Sequence, residues 1–174
     1  MKRLVFLVIT LALLATGCTT IHQSGRGAVP LEAEWVVLPF VNNTETPYAA
    51  ERAEAIATAL LYARGVQQLT PIPADVLQGD PLLPGRGEKN LQAALQWAQN
   101  KGIAYAVSGT VTEWRYKVGL DGEPVAGVTL QVLALPGGEV VWSGSASKSG
   151  WSRASVSAVG QQVLEKLISS IEVR

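Results

Sequence analysis

The apolar positions change their period along the chain, and each change marks a new element. Trp35 to Phe40 is a short apolar run with two adjacent β-branched residues, which predicts a buried first strand. In "YAAERAEAIATALLYARG" the spacing lengthens, with Ala53, Ile56, Ala57, Leu60 and Leu61 on one stripe and Glu51, Arg52 and Glu54 off it. That is an amphipathic helix, ended by Gly65. "VQQLTPIP" predicts a short second strand stopped by Pro71 and Pro73, because proline cannot donate to a ladder. The next stretch, "ADVLQGDPLLPGRGEKN", reads as an irregular loop rich in proline and glycine. Leu91, Ala94, Leu95 and Ala98 then predict a second helix from about Glu88 to Asn100, closed by Gly102.

Alternation takes over in "IAYAVSGTVTEWRYKVG" and continues through "PVAGVTLQVLALPGGEVVWSGSAS". With turns at Asp121-Gly122 and Pro136-Gly137-Gly138, this predicts a three-stranded antiparallel meander. The last stretch carries Val156, Val159, Val163, Leu164, Leu167, Ile168 and Ile171 at helical spacing, so the chain closes on a helix. The predicted order is β-α-β-α-β-β-β-α, an α/β fold of the α+β kind in which helices pack on one mixed sheet.

The first residues follow none of these periods. Lys2 and Arg3 precede an unbroken apolar segment from Leu4 to Leu14, then Ala15, Thr16, Gly17 and Cys18. This is the layout of a secretory signal with a lipoprotein cleavage box, and the apolar run is too short for a permanent membrane span. Residues 1–17 are therefore expected to be removed and Cys18 to become the acylated first residue. Each buried acyl methylene contributes roughly 0.8 kcal/mol, enough for two or three chains to anchor the protein. Thr19 stands where an inner-membrane lipoprotein typically has Asp, so the expected location is the periplasmic face of the outer membrane. Residues 18–33, polar and glycine-rich, read as the lipidated cysteine and a flexible tether, and 34–174 as one domain.

Cleavage leaves 12 basic and 14 acidic residues, because Lys2 and Arg3 depart from an even balance of 14 and 14, so the mature net charge is −2. No basic stripe exists, which argues against a nucleic-acid partner. Cys18 is the single cysteine and His22 the single histidine. Neither a disulfide, a His/Cys metal cluster nor a Ser-His-Asp triad can be assembled, and no cofactor is expected beyond the lipid on Cys18.

The loop "FVNNTETP" sits where a nucleotide-binding domain would carry a phosphate loop, yet it has neither glycine nor lysine. Asn42, Asn43, Thr44 and Thr46 are read instead as bonding their own backbone, capping the turn and starting the helix. Asp121 and Glu123 form an exposed acidic tip, where solvent keeps both ionised and a catalytic pair has no raised pKa to use. In "TEWRYKVG", Trp114 and Tyr116 share one strand face while Arg115 and Lys117 share the other. The second pair is either an outer charged face or part of a subunit interface. Trp151, between Lys148 and Arg153, either staples the last helix by packing on Val156 behind an N-cap at Ser152, or meets a membrane interface.

The signal with its cysteine, "WVVLPFVNNTETP", "RAEAIATALLYARGV", "YAVSGTVTEWRYKVGLDGEPVAGVTLQV" and "VVWSGSASKSGWSR" together resemble the PelC family, outer-membrane lipoproteins of the Pel exopolysaccharide export system. The "VLPF" strand alone is shared with LpoB-like and curli-secretion lipoproteins, so the series of elements carries the resemblance. It implies a non-enzymatic dodecameric ring beneath the outer membrane. Such a ring works with the β-barrel and helical-repeat export protein and guides a cationic amino-sugar polymer toward the pore. It further implies that Trp151 faces the membrane, that Asp121 and Glu123 contribute to a negative funnel, and that Arg115 pairs between subunits. The alternative from another class is an LpoB-like activator of a peptidoglycan synthase, which needs a long tether; fifteen residues from Thr19 to Ala33 reach roughly 50 Å at most.

Overall fold

The computed structural model describes residues 19–25, 27–77, 86–119, 122–151 and 153–174. Cys18, Asp121 and Ser152 lie outside the described residues. The elements are β1 (Thr19–Gly25), β2 (Glu34–Val37), β3 (Val41–Asn42), α1 (Ala49–Arg64), β4 (Gln68–Leu69), α2 (Arg86–Lys101), β5 (Tyr105–Tyr116), β6 (Pro124–Ala134), β7 (Glu139–Ser149) and α3 (Val156–Ser169). They form one seven-stranded mixed sheet in the order β1-β7-β6-β5-β2-β4, with β3 also paired to β5.

The predicted first strand is split. Val37 and Val41 flank a break at Pro39, which has no N–H to give the ladder, and β2 and β3 pair in parallel with successive parts of β5. The Phe40 N–H, freed at the break, donates to a Glu54 carboxylate oxygen at 3.3 Å. The Phe40 ring lies against Gly109 of β5, where a Cβ would stand 2.6 Å from it.

The helices end as their glycines predict. Gly65 adopts φ 104°, its N–H reaches Tyr62 O at 3.0 Å, and Val66 N–H reaches Leu61 O at 3.1 Å. Gly102, at φ 76°, repeats the pattern, with Ile103 N–H on Ala98 O at 3.1 Å. Both are six-to-one closures that need a left-handed residue. α1 buries Ala49, Ala50, Ala53, Ala57 and Leu61, and such small side chains let its axis lie close to the sheet. Together with α3 it covers the face carrying Trp35, Val107, Trp114, Leu130 and Trp142. α2 covers part of the other face, packing Ala94 and Ala98 with Val36, Leu38, Ile103 and Ala106.

The segment from Thr19 to Ala33 departs from the expected tether. Thr19 to Gly25 pairs antiparallel with β7, Ile21 packs on the core, and Val29 is buried with its N–H on Glu172 O at 2.9 Å. The described fold therefore includes residues from Thr19 onward, ahead of the expected start at Glu34. Its backbone found partners on an open edge of the meander, which local polarity does not report.

Candidate functional site

The loop after β3 binds itself. Asn42 Nδ2 donates to Thr46 O at 2.9 Å, Thr44 N–H to Asn42 Oδ1 at 3.0 Å and Thr46 N–H to Thr44 Oγ1 at 3.1 Å, while the Thr46 hydroxyl donates to Trp114 O. These side chains are occupied in holding the turn, as expected of a connection without a phosphate. They do not start the helix, however: the residue before α1 is Tyr48, at φ 58°, with no side-chain cap.

The serines of β7 and its exit are structural in the same way. Ser145 Oγ accepts from Thr129 Oγ1 at 3.0 Å across the strands, and Ser155 caps α3 by accepting from Ala158 N–H at 3.1 Å. The cap is thus three residues later than Ser152, because the chain first makes a turn in which Ala154 N–H donates to Trp151 O at 2.8 Å. Among the described residues no group of three or more His, Cys, Asp or Glu side chains is placed to hold a metal ion. No described helix is long and apolar enough to cross a membrane.

The described candidate residues gather at one end of the sheet. Tyr116 stands opposite Pro124, Val125 opposite Ser149, and Gly150 N–H donates to Pro124 O at 2.8 Å. This places the β5–β6 tip beside the β7 exit that carries Trp151 and Arg153. Trp151 is 75% exposed, so it does not staple the helix. It lines a pocket of about 200 Å³ with Lys148, Ala154, Ala158, Val159 and Gln162. Gly150 lets the chain turn here: a Cβ on it would stand 2.5 Å from Val159 Cγ2.

Arg115 and Glu123 are less free than the sequence suggests. Arg115 Nη2 lies 3.4 Å from Glu113 Oε1, and Lys117 Nζ lies 3.3 Å from Glu123 Oε2, each pair about half exposed. Such pairs contribute about 0–1 kcal/mol, but each offsets the charge its partner presents. Trp114 and Tyr116 do share the face toward α3. Trp114 is fully buried, and Tyr116 OH accepts from Val156 N–H at 3.3 Å, satisfying a donor at the helix start. Sequence reading missed this second cap, since residues forty apart carry no local signal for it.

This arrangement of sheet, helices and exposed end has solved counterparts. PelC from Paraburkholderia phytofirmans, solved as a dodecamer, is 35% identical, with a TM-score of 0.74 over 90% of this chain and 99% of its own. The chain belongs to the PelC family. A single-residue variant of the same relative, also a dodecamer in a second crystal form, matches at 34% identity and a TM-score of 0.75, covering 90% of this chain and all of the other. Lipoprotein GNA1162 from Neisseria meningitidis shares the fold, at 22% identity and a TM-score of 0.56 over 80% of this chain and 97% of its own. No protein-family model matches the chain, and neither does any curated protein.

Proposed function

We propose that this protein is a non-enzymatic, lipid-anchored component of the outer membrane that closes into a periplasmic ring and guides a cationic exopolysaccharide to its export pore, supporting secretion of a biofilm matrix. The observation that carries this reading is the 35% identity to a dodecameric PelC over nearly the whole of both chains. Acylated Cys18 holds the protein at the periplasmic face of the membrane. Trp151, Lys148 and Arg153 contact that membrane. The β-barrel and helical-repeat export protein of the same system receives the polymer.

Guidance of this kind breaks no bond and needs no cofactor. A cationic chain is drawn by the summed charge of many protomers, each −2 after processing, and the low-dielectric wall of a ring focuses that field on its lumen. Asp121 and Glu123 would add to this field, and because Lys117 offsets Glu123, attraction rests on the sum of the ring more than on this pair. The peptidoglycan-synthase activator gains no support from the structure, since β1 takes much of the expected tether into the fold.

The test is export in cells whose own copy is deleted. The wild-type chain is expected to restore surface polysaccharide, and Trp151→Ala is expected to fold normally yet restore little. Unchanged polysaccharide in the deletion strain would overturn the reading.

A further inference from the structure

One of the described helices has an apolar outer face. Between Arg52 and Arg64 the exposed residues of α1 are Ala55, Ala59, Tyr62 and Ala63. The polar groups of that stretch are engaged within the protomer: a Glu54 carboxylate oxygen accepts from Phe40 N–H, Thr58 Oγ1 donates to Glu54 O at 2.9 Å, and Tyr62 OH donates to Leu69 O at 3.3 Å. The other two helices expose Gln92, Gln96 and Lys101 on α2, and Gln161, Glu165 and Lys166 on α3. A surface helix as apolar outside as inside is one that a further layer covers.

The sheet carries an uncovered area on its other face. Val128, Leu130, Trp142 and Ala146 join the core under α1 and α3, so the residues alternating with them point away. Thr110, Thr129, Ser145 and His22 stand in one row across β5, β6, β7 and β1, with Ser108, Gln131, Ser143 and Ser24 in the next. α2 packs beside these rows, over Val36, Leu38 and Ala106, and no other described helix lies on that face. Neither row holds an Asp, Glu, Lys or Arg, so a cationic sugar chain finds no carboxylate there. Thr129 and Ser145 bond each other at 3.0 Å, so covering them strands neither hydroxyl.

We infer that α1 of one protomer packs across these rows on the next protomer, beside that neighbour's α2. The contact rests on the proposed ring and says where its protomers meet. A second copy is the occupant because a relative 35% identical over nearly the whole of both chains is a dodecamer. α1 and the two rows lie on opposite faces of one sheet. The same contact therefore repeats from copy to copy and neither patch meets itself, as closure into a ring requires. A neutral helix face on a neutral sheet face also buries no unpaired charge. Arg115, opposite Val125 in β6, continues the same outer face at the rim of this seam, where an exposed cation costs nothing to keep.

Cross-linking tests the seam in the mature chain carrying Cys18→Ser, which leaves no native thiol. Ala59→Cys and Ser145→Cys are both at exposed positions, one on each patch. Treated with a short bismaleimide, the double variant is expected to give a ladder of covalent dimers, trimers and larger species on a denaturing gel. Either single variant is expected to run as a monomer. Ala59→Glu is expected to abolish the large species seen by light scattering while leaving the melting temperature of the protomer unchanged. Gln161→Glu, on the outer face of α3, is expected to keep that species. A large species that yields no ladder, or that survives Ala59→Glu, overturns the seam and leaves the ring standing. Covalent dimers from Ala59→Cys alone place α1 against its own copy and overturn the seam as well. A chain with native Ala59 and Ser145 that stays monomeric at every concentration overturns the ring itself.

Discussion

Trp114 sits where the sheet meets α3, and its ring occupies the space a side chain at Gly160 would need. A Cβ at that position would stand 2.1 Å from Trp114 Cη2 and 2.3 Å from Cζ3. The indole cannot retreat, since it is fully buried within the main hydrophobic core. Gly160→Ala is therefore expected to destabilise the fold by about 1–3 kcal/mol through overpacking, despite the better helix propensity of alanine. Urea unfolding checks this as a fall in midpoint with an unchanged slope. An unchanged or raised midpoint would show that the helix can shift away. The close approach was not legible in the sequence, where Gly160 is one small residue within a strong apolar stripe. The partners are 46 positions apart, and only the crossing of α3 over β5 brings them together.

Among the elements, those with several buried side chains were legible, whereas β1, held by backbone pairing, was not. α3 and the β5–β6–β7 meander repeat an apolar residue often enough to fix both period and face. The one irregularity of β5 even leaves a trace: Val107, Gly109 and Val111 keep one phase, and Trp114 resumes it a residue late. That slip is the bulge between Val111 and Glu113, with Thr112 Oγ1 reaching over Gly127, where a Cβ would stand 2.7 Å from it. β1, by contrast, has Ile21 as its only apolar residue and read as tether. A single apolar residue carries no period, and an edge strand needs little more than a partner with free backbone groups. Amide exchange followed by NMR separates the two descriptions. Alternate amides of Thr20 to Ser24 are expected to be protected by bonding to β7, less than those of central β6, because edges open locally at lower cost. Uniform exchange at the unprotected rate across these residues would restore the tether.

At the scale of the whole molecule, the proposed ring would have to close protomers whose net charge is −2 once residues 1–17 are removed. A ring needs two different, complementary patches on each protomer, since a self-complementary patch stops at a dimer. Twelve copies, as in the relative, bring a total of about −24, and this repulsion opposes closure unless oppositely charged groups meet at the seams. Arg115 is suited to a seam, because it is half exposed and its pairing with Glu113 at 3.4 Å is loose enough to be exchanged for a neighbour's carboxylate. The mature chain with Cys18→Ser is therefore expected to give one large species by light scattering, of constant mass across concentration. Arg115→Glu is expected to disperse it while leaving the melting temperature of the protomer nearly unchanged. A mass that rises continuously with concentration would indicate an open filament. A monomer at every concentration would leave the acidic field of a single protomer, too weak to hold a polymer on course, and would remove the ring from the function altogether.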